Sequence, residues 1–257
     1  MKTLRFFGVA LLTVLLSVSF SACSSSSDDV DNGSGSSPAT TNKFLIKQKM
    51  TNNDGEVQLE WTYSYDSNNR LSKISAVSHV GNMSADSYSY SYGNNSIEVN
   101  GITYNVSNGR IISTNNGVSF TYDNDGYLTS ASKNGNTITY IWSGGNIVNI
   151  SYKRSSDAEE IESVSYEYTN LSYPQNFPYS PETTDRSHAD GFKGLTSLIG
   201  GYWGKTPKNL PKKYVYKYKG EVDETDDYEF TMQDGYPSII KSTDERGHVS
   251  INTLEWK

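Results

Sequence analysis

The amino-acid sequence predicts an all-β fold: an antiparallel hairpin meander of about sixteen short strands, curled into a barrel-like sheet, with one short helix set apart from it. Three observations carry that expectation. Apolar and polar side chains alternate with a period of two along most of the chain, and Asn-Gly or Asp-Gly pairs interrupt the alternation at short intervals. The 257 residues hold 20 Tyr and 21 Gly while only 35% are hydrophobic, a balance of strand and turn formers. A helical bundle and a doubly wound nucleotide-binding fold are excluded by the same composition.

The charge narrows the partners. With 22 Lys+Arg against 29 Asp+Glu the formal charge is −7, so the field offers nothing to a polyanion and nucleic acid is not expected. One Cys cannot form an intramolecular disulfide, and 3 scattered His do not complete a zinc set with it. No metal and no cofactor is expected.

Residues 1–22 have the build of a secretory leader: Lys2 and Arg5, an apolar stretch from Phe6 to Val18 too short for a comfortable span, then small residues. Phe20-Ser21-Ala22-Cys23 resembles the lipobox of bacterial lipoproteins. That resemblance implies cleavage before Cys23, acylation of its thiol and new amine, and membrane lipid as a partner. Ser24 to Asn42 is almost wholly Ser, Thr, Asp, Gly and Asn, which predicts a flexible linker, so the body is expected to span 43–257. Ser24 after the Cys resembles Gram-negative outer-membrane sorting signals, and the serine run closing in Asp28-Asp29 resembles the acidic export tags of Bacteroidetes-type surface lipoproteins. The anchor's side, periplasm or cell surface, stays open.

From Phe44 onward Leu59, Trp61, Tyr63 and Tyr65 share one face while Glu60, Thr62 and Ser64 share the other. The pattern returns at Tyr88 to Tyr92, Val118 to Tyr122, Ile138 to Trp142, Val164 to Tyr168 and Tyr214 to Tyr218. Hairpin signals fall between: Asp54-Gly55, Asn94-Asn95, Asn100-Gly101, Asn108-Gly109, Asn116-Gly117, Asp125-Gly126, Asn134-Gly135, Gly144-Gly145 and Asp234-Gly235. A sheet this wide curls or closes because its twist accumulates. Charges within the strands, such as Lys73, Glu98 and Lys217, argue against a transmembrane barrel.

The units Tyr63 to Leu71, Tyr104 to Ile111 and Phe120 to Leu128 repeat a strand, a turn and a return strand. They resemble the tyrosine-aspartate repeats of wrapped β-sheet shells. Between Leu171 and Pro211 the alternation stops and prolines gather. Within that excursion Phe192, Leu195 and Leu198 lie at helical spacing after Asp190, with Gly200-Gly201 to end the helix. The stretch Leu198 to Pro211, with Gly-Lys-Thr-Pro-Lys-Asn-Leu-Pro as its specific part, resembles uncharacterised Bacteroidetes-type lipoproteins assigned to a domain of unknown function with a porin-like β fold. The resemblance implies that fold and an outer-membrane location, and it brings no activity or ligand.

No catalytic set converges. Gly204-Lys205-Thr206 lacks the earlier glycine of a phosphate loop, since position 199 is Ile. His188 has no nucleophile elbow near it, and His79 and His248 sit at strand ends where exposure is expected. The acidic runs Asp157 to Glu162 and Glu221 to Asp227 are expected at hairpin tips, and a carboxylate pair from them is the alternative, glycan-cleaving reading. The aromatics of the excursion, Tyr173, Phe177, Tyr179, Tyr202 and Trp203, are the candidate ligand-binding residues, weighed against simple packing on the barrel mouth. The sequence thus points to a non-enzymatic envelope lipoprotein, a binding or structural module at the outer membrane. Its open partners are a glycan or another envelope protein, as in a polysaccharide-uptake complex.

Overall fold

The computed structural model describes residues 42–81, 85–156, 162–174, 176–179, 192 and 201–257. The leader, Cys23, the linker to residue 41 and, apart from Phe192, the helix expected over 190–199 lie outside the described residues. Strands form where the period-two segments stand: β1 Leu45–Asn52, β2 Val57–Tyr65, β3 Leu71–Ser78, β4 Tyr88–Tyr92, β5 Ser96–Val99, β6 Ile102–Ser107, β7 Arg110–Thr114 and β8 Ser119–Tyr122. They continue as β9 Leu128–Lys133, β10 Asn136–Ser143, β11 Asn146–Lys153, β12 Glu162–Ser172, β13 Asn209–Tyr218, β14 Glu221–Gln233, β15 Tyr236–Asp244 and β16 Val249–Trp256. Each strand pairs antiparallel with its neighbours in sequence, and β1 also pairs with β16, so the sheet is a closed barrel. Closure removes both exposed edges.

Two kinds of turn build the meander. Asn100-Gly101, Asn108-Gly109, Asn134-Gly135 and Asp234-Gly235 hold both residues at positive φ, the geometry whose twist matches antiparallel strands. Asn or Asp occupies the first position because its short polar side chain tolerates the left-handed region. The second kind runs five residues and recurs at Asn52–Glu56, Asp66–Arg70, Asp123–Tyr127 and Asp244–His248. In each, the first residue's N–H donates to the fifth carbonyl and the fourth N–H donates back to the first carbonyl. The first side chain organises the loop: Asp66 Oδ1 accepts from Asn68 N and Arg70 N at 2.9 Å, and Asp244 Oδ1 accepts from Arg246 N and His248 N. Two of the three repeat units, Tyr63 to Leu71 and Phe120 to Leu128, use this turn, while Tyr104 to Ile111 uses the two-residue Asn108-Gly109 turn.

The aromatic face turns inward. Tyr63, Tyr90, Tyr104, Tyr140, Tyr152, Tyr214 and Tyr216 are buried beside Leu71, Ile74, Ile97, Ile111, Ile138 and Ile150. The alternate positions, among them Ser89, Ser91, Thr121, Thr139, Lys217 and Glu229, stand exposed on the outside. Period-two alternation on a closed sheet thus gives an aromatic-rich interior and a mainly hydrophilic wall. The closing seam carries a buried polar bridge: Gln48 Nε2 donates to Asn252 Oδ1 at 2.9 Å, and the Tyr63 hydroxyl donates to Gln48 Oε1 at 3.1 Å. Such a bridge penalises any slip of β1 against β16, since a one-residue shift would turn these groups outward.

The barrel has two unlike ends. Both termini of the body meet at one, where Phe44 and Lys257 exchange backbone hydrogen bonds at 2.7 and 2.9 Å, and the 173–208 excursion leaves and returns there. We call this the terminal end. The far end carries the turns at 53–56, 100–101, 115–117, 134–135, 219–220 and 245–247.

Candidate functional site

The terminal end is ringed by aromatic latches. Strands β2, β4, β8, β10, β12 and β16 each bring a Tyr or Trp to this rim, and each donates to a carbonyl at the start of the preceding strand. Tyr65 reaches Leu45 O at 2.7 Å, Tyr92 Leu71 O at 2.8 Å, and Tyr122 Ile111 O at 2.8 Å. Trp142 Nε1 reaches Leu128 O at 2.8 Å, Tyr168 Ile147 O at 2.6 Å, and Trp256 Nε1 Pro237 O at 2.7 Å. The ring is half-buried in each case and its polar tip is satisfied, which is how a large aromatic closes a strand end without orphaning its donor. Burial pushes the Tyr65, Tyr92 and Tyr122 hydroxyls well above the ordinary tyrosine range, so they remain donors.

Cations lie over several of these rings. The Arg70 guanidinium is 4.2 Å from the Tyr92 ring centre and pairs with Asp66 at 2.7 Å. Arg110 lies 5.5 Å over Tyr122, and Lys205 Nζ 4.9 Å over Tyr127. Lys43, at the chain's entry, pairs with Asp234 at 2.8 Å.

The five aromatics singled out in the excursion turn inward onto this rim. Trp203 is fully buried, edge-on to Tyr104 at 5.9 Å and to Phe120 at 5.1 Å. Phe177 is buried against Trp256 at 5.3 Å and Tyr173 at 6.5 Å; Tyr179 is buried, while Tyr173 and Tyr202 are partly so. Phe192, buried, meets Tyr152 edge-on at 6.1 Å. Of the five, Phe177, Tyr202 and Trp203 thus meet rings of the barrel strands.

The return leg of the excursion also repairs a seam. Strands β7 and β8 share a single register pair, Ser113 with Ser119. Where they part, Ile111 N donates to Tyr202 O at 2.8 Å and Lys205 N to Gly126 O at 2.9 Å, so residues 202–205 sit in the gap. Gly204 is required here. Its φ is +80°, and a Cβ would lie 2.3 Å from Gly126 O and 3.0 Å from the Tyr122 ring. The Gly-Lys-Thr triplet is thereby a packing element of the wedge.

The charged candidates fall elsewhere. Glu221 to Asp227 was expected at a hairpin tip; it instead runs along β14, and the tip is Lys219-Gly220. Within it Asp226 shares the inward face with buried Tyr228 and stands opposite Asp244 across the β14–β15 ladder. Burial, then the negative charges of Asp244, Glu245 and Asp227, push the Asp226 carboxyl up to about 6. Burial alone would raise Asp244 too, but hydrogen bonds from His248 and Arg246 hold it below the usual range. Glu162, the last residue of the other acidic run, is buried at the start of β12, while 157–161 lie outside the described residues with His188. His79 and His248 are exposed at strand ends. The described residues contain no cluster of metal-ligating side chains.

No protein-family model and no curated protein matches the chain. Among solved structures, a porin-like protein from Bacteroides uniformis is 14% identical with a TM-score of 0.42, over 83% of this chain and 96% of that one. A porin-like protein from Bacteroides vulgatus is 12% identical with a TM-score of 0.41, over 84% and 99%.

Proposed function

We propose that this chain is a non-enzymatic lipoprotein of the outer membrane, held to lipid through acylated Cys23, whose barrel serves as a binding or structural module on the cell envelope. The observation that carries this reading is the polarity of the barrel wall. A strand-built membrane span needs an apolar outer band roughly 25 Å tall. Here the outward positions are mainly Ser, Thr, Lys and Glu, with the exposed Val77, Ile112, Ile141, Val222 and Ile239 spread over five different strands, and charges pair across strands as in Lys47 with Glu60 at 2.9 Å and Lys241 with Glu229 at 2.8 Å. Such a body needs a separate device to stay at a membrane, and the Cys23 lipobox followed by a Ser/Asp-rich linker is one. Several acyl chains on one cysteine anchor firmly where one would not. Metabolic labelling with an alkyne palmitate tests it: label on the wild-type chain that vanishes in Cys23→Ser supports the anchor, and an unlabelled wild type refutes it.

A second reading rests on Asp226 and Asp244. One carboxyl that keeps its proton beside another that gives it up is the division of labour of glycan-cleaving acids. Incubating the mature protein with a polysaccharide panel, and following Trp fluorescence and released reducing ends, separates the two. Sugar release abolished by Asp226→Asn favours cleavage; a fluorescence response without release favours a binding module.

A further inference from the structure

Among the described residues the two ends of the barrel differ in charge, and the chain enters at the less acidic one. The terminal end carries Lys43, Arg70, Arg110, Lys205 and Lys208 around the latch ring, against Asp66, Asp123, Asp125 and Asp234. Asp66 and Asp234 are already paired with Arg70 and Lys43, whereas Arg110, Lys205 and Lys208 make no ion pair among the described residues. These three gather about one hairpin. The Arg110 guanidinium lies beside Gly126, the Lys205 ammonium lies over Tyr127, and the Lys208 stem packs on Gly145 next to the Tyr127 hydroxyl. Lys205 and Lys208 are exposed. The far end is the more acidic: Asp54, Glu56, Asp86, Glu221, Asp223, Asp226, Asp244 and Glu245 stand at its turns and strand ends against Lys133, Arg154, Lys219 and Arg246.

We propose that the terminal end is the face that rests on a phospholipid bilayer, with Arg110, Lys205 and Lys208 against anionic headgroups and the acidic far end pointing away. The occupant follows from where the chain goes. Residue 42 lies at this rim, and the linker back to Cys23 has a root-mean-square reach of roughly 24 Å if it behaves as a Gly/Ser-type coil. A tether of that reach would hold the rim at an effective concentration on the order of millimolar, at which a contact too weak to matter in solution is populated. Each unpaired cation near an anionic surface is favourable, and acidic groups are repelled from it. Apart from the 173–208 excursion the turns of this end are short, and the rings of Tyr122, Tyr127 and Trp142 stand partly buried beside them.

This inference rests on the tether proposed above, and its test is separable from it. The unlipidated mature chain, residues 23–257 with Cys23→Ser, is mixed with vesicles of phosphatidylcholine alone or of phosphatidylcholine with phosphatidylglycerol, and binding is followed by co-sedimentation at low salt. We expect binding to the anionic vesicles only, weakened about fivefold for each of Arg110→Gln, Lys205→Gln and Lys208→Gln. Far-end controls Lys133→Gln and Arg246→Gln leave it unchanged. Equal binding to both vesicles, no binding to either, or equal loss from far-end controls overturns the proposal. Circular dichroism confirms that each variant is folded, and Lys205→Arg should retain binding. If palmitate labelling fails while anionic binding holds, the tether falls and the surface stands; labelling without vesicle binding does the opposite.

Discussion

The wall from β10 through β16 to β2 and the panel from β4 to β8 solve the same problem by different means. In the wall, strands run from 8 residues in β1 to 13 in β14, and long ladders such as β14–β15 hold one register over six successive pairs, from Asp226 with Asp244 to Thr231 with Ile239. In the panel, β5 and β8 have 4 residues each, β3 meets β4 through two pairs, and β7 meets β8 through one. Ladder bonds cannot secure such short strands alone. The excursion secures them: Trp203 packs on β6 and β8, Tyr202 stacks near Tyr92 of β4 at 6.1 Å, and residues 202–205 fill the β7–β8 gap. A barrel can thus economise on strand length where a tertiary wedge replaces the ladder.

Breaking the wedge should expose the contrast most. Trp203→Ala empties a fully buried site between Tyr104 and Phe120, and we expect a loss of about 3–5 kcal/mol in denaturant unfolding. Hydrogen exchange should rise in β6 to β8 and not in β13 to β15. Gly204→Ala, with its methyl against Gly126 O, should lose about 2 kcal/mol and speed exchange at the amides of Ile111 and Lys205. Tyr122→Phe and Tyr65→Phe remove the same latch from the panel and the wall. Each should lose about 1 kcal/mol, but only the first should raise local exchange, because the ladder beside Tyr65 is long. Equal exchange in both would erase the distinction.

The smallest effect lies in the wall. Asp226 keeps its proton up to about pH 6 in the fold and loses it near its ordinary value of roughly 4 once unfolded. Its contribution is therefore fully present below about pH 4 and is lost as pH rises through about 6. Allowing for solvent screening at this half-buried position, Asp226→Asn should stabilise the protein by about 1 kcal/mol at pH 7 and flatten stability between those limits. A thermal-melt series across pH checks it.

Much of this was legible beforehand, for identifiable reasons. A closed sheet buries one face, so the alternation of Tyr63, Tyr90, Tyr140 and Tyr214 with polar neighbours already says which side chains fill it. The Asn-Gly turns were legible because only particular residues adopt positive φ readily; the turn at Lys219-Gly220 was missed because Lys, here at φ 51°, carries no such signal. The acidic run on β14 was placed at a tip because charge imitates a loop, whereas a barrel wall tolerates charge on its wet face and at its rim. The latches were visible only as aromatics preceding turns. Which carbonyl each reaches depends on the stagger between strands, and no local pattern encodes that. The burial of Phe177 and Trp203 likewise comes from contacts far along the chain, so the excursion's sequence favoured packing on the barrel mouth while leaving ligand capture open.

The most direct test is where the protein goes when the proposed anchor residue, Cys23, is replaced. In cells expressing Cys23→Ser with an intact leader, a body with a wet wall and no acyl chains should leave the membrane fraction after a high-salt wash, while the wild type stays with it. If the Cys23→Ser chain resists both salt and alkaline extraction, the barrel itself is embedded in lipid and the account is contradicted.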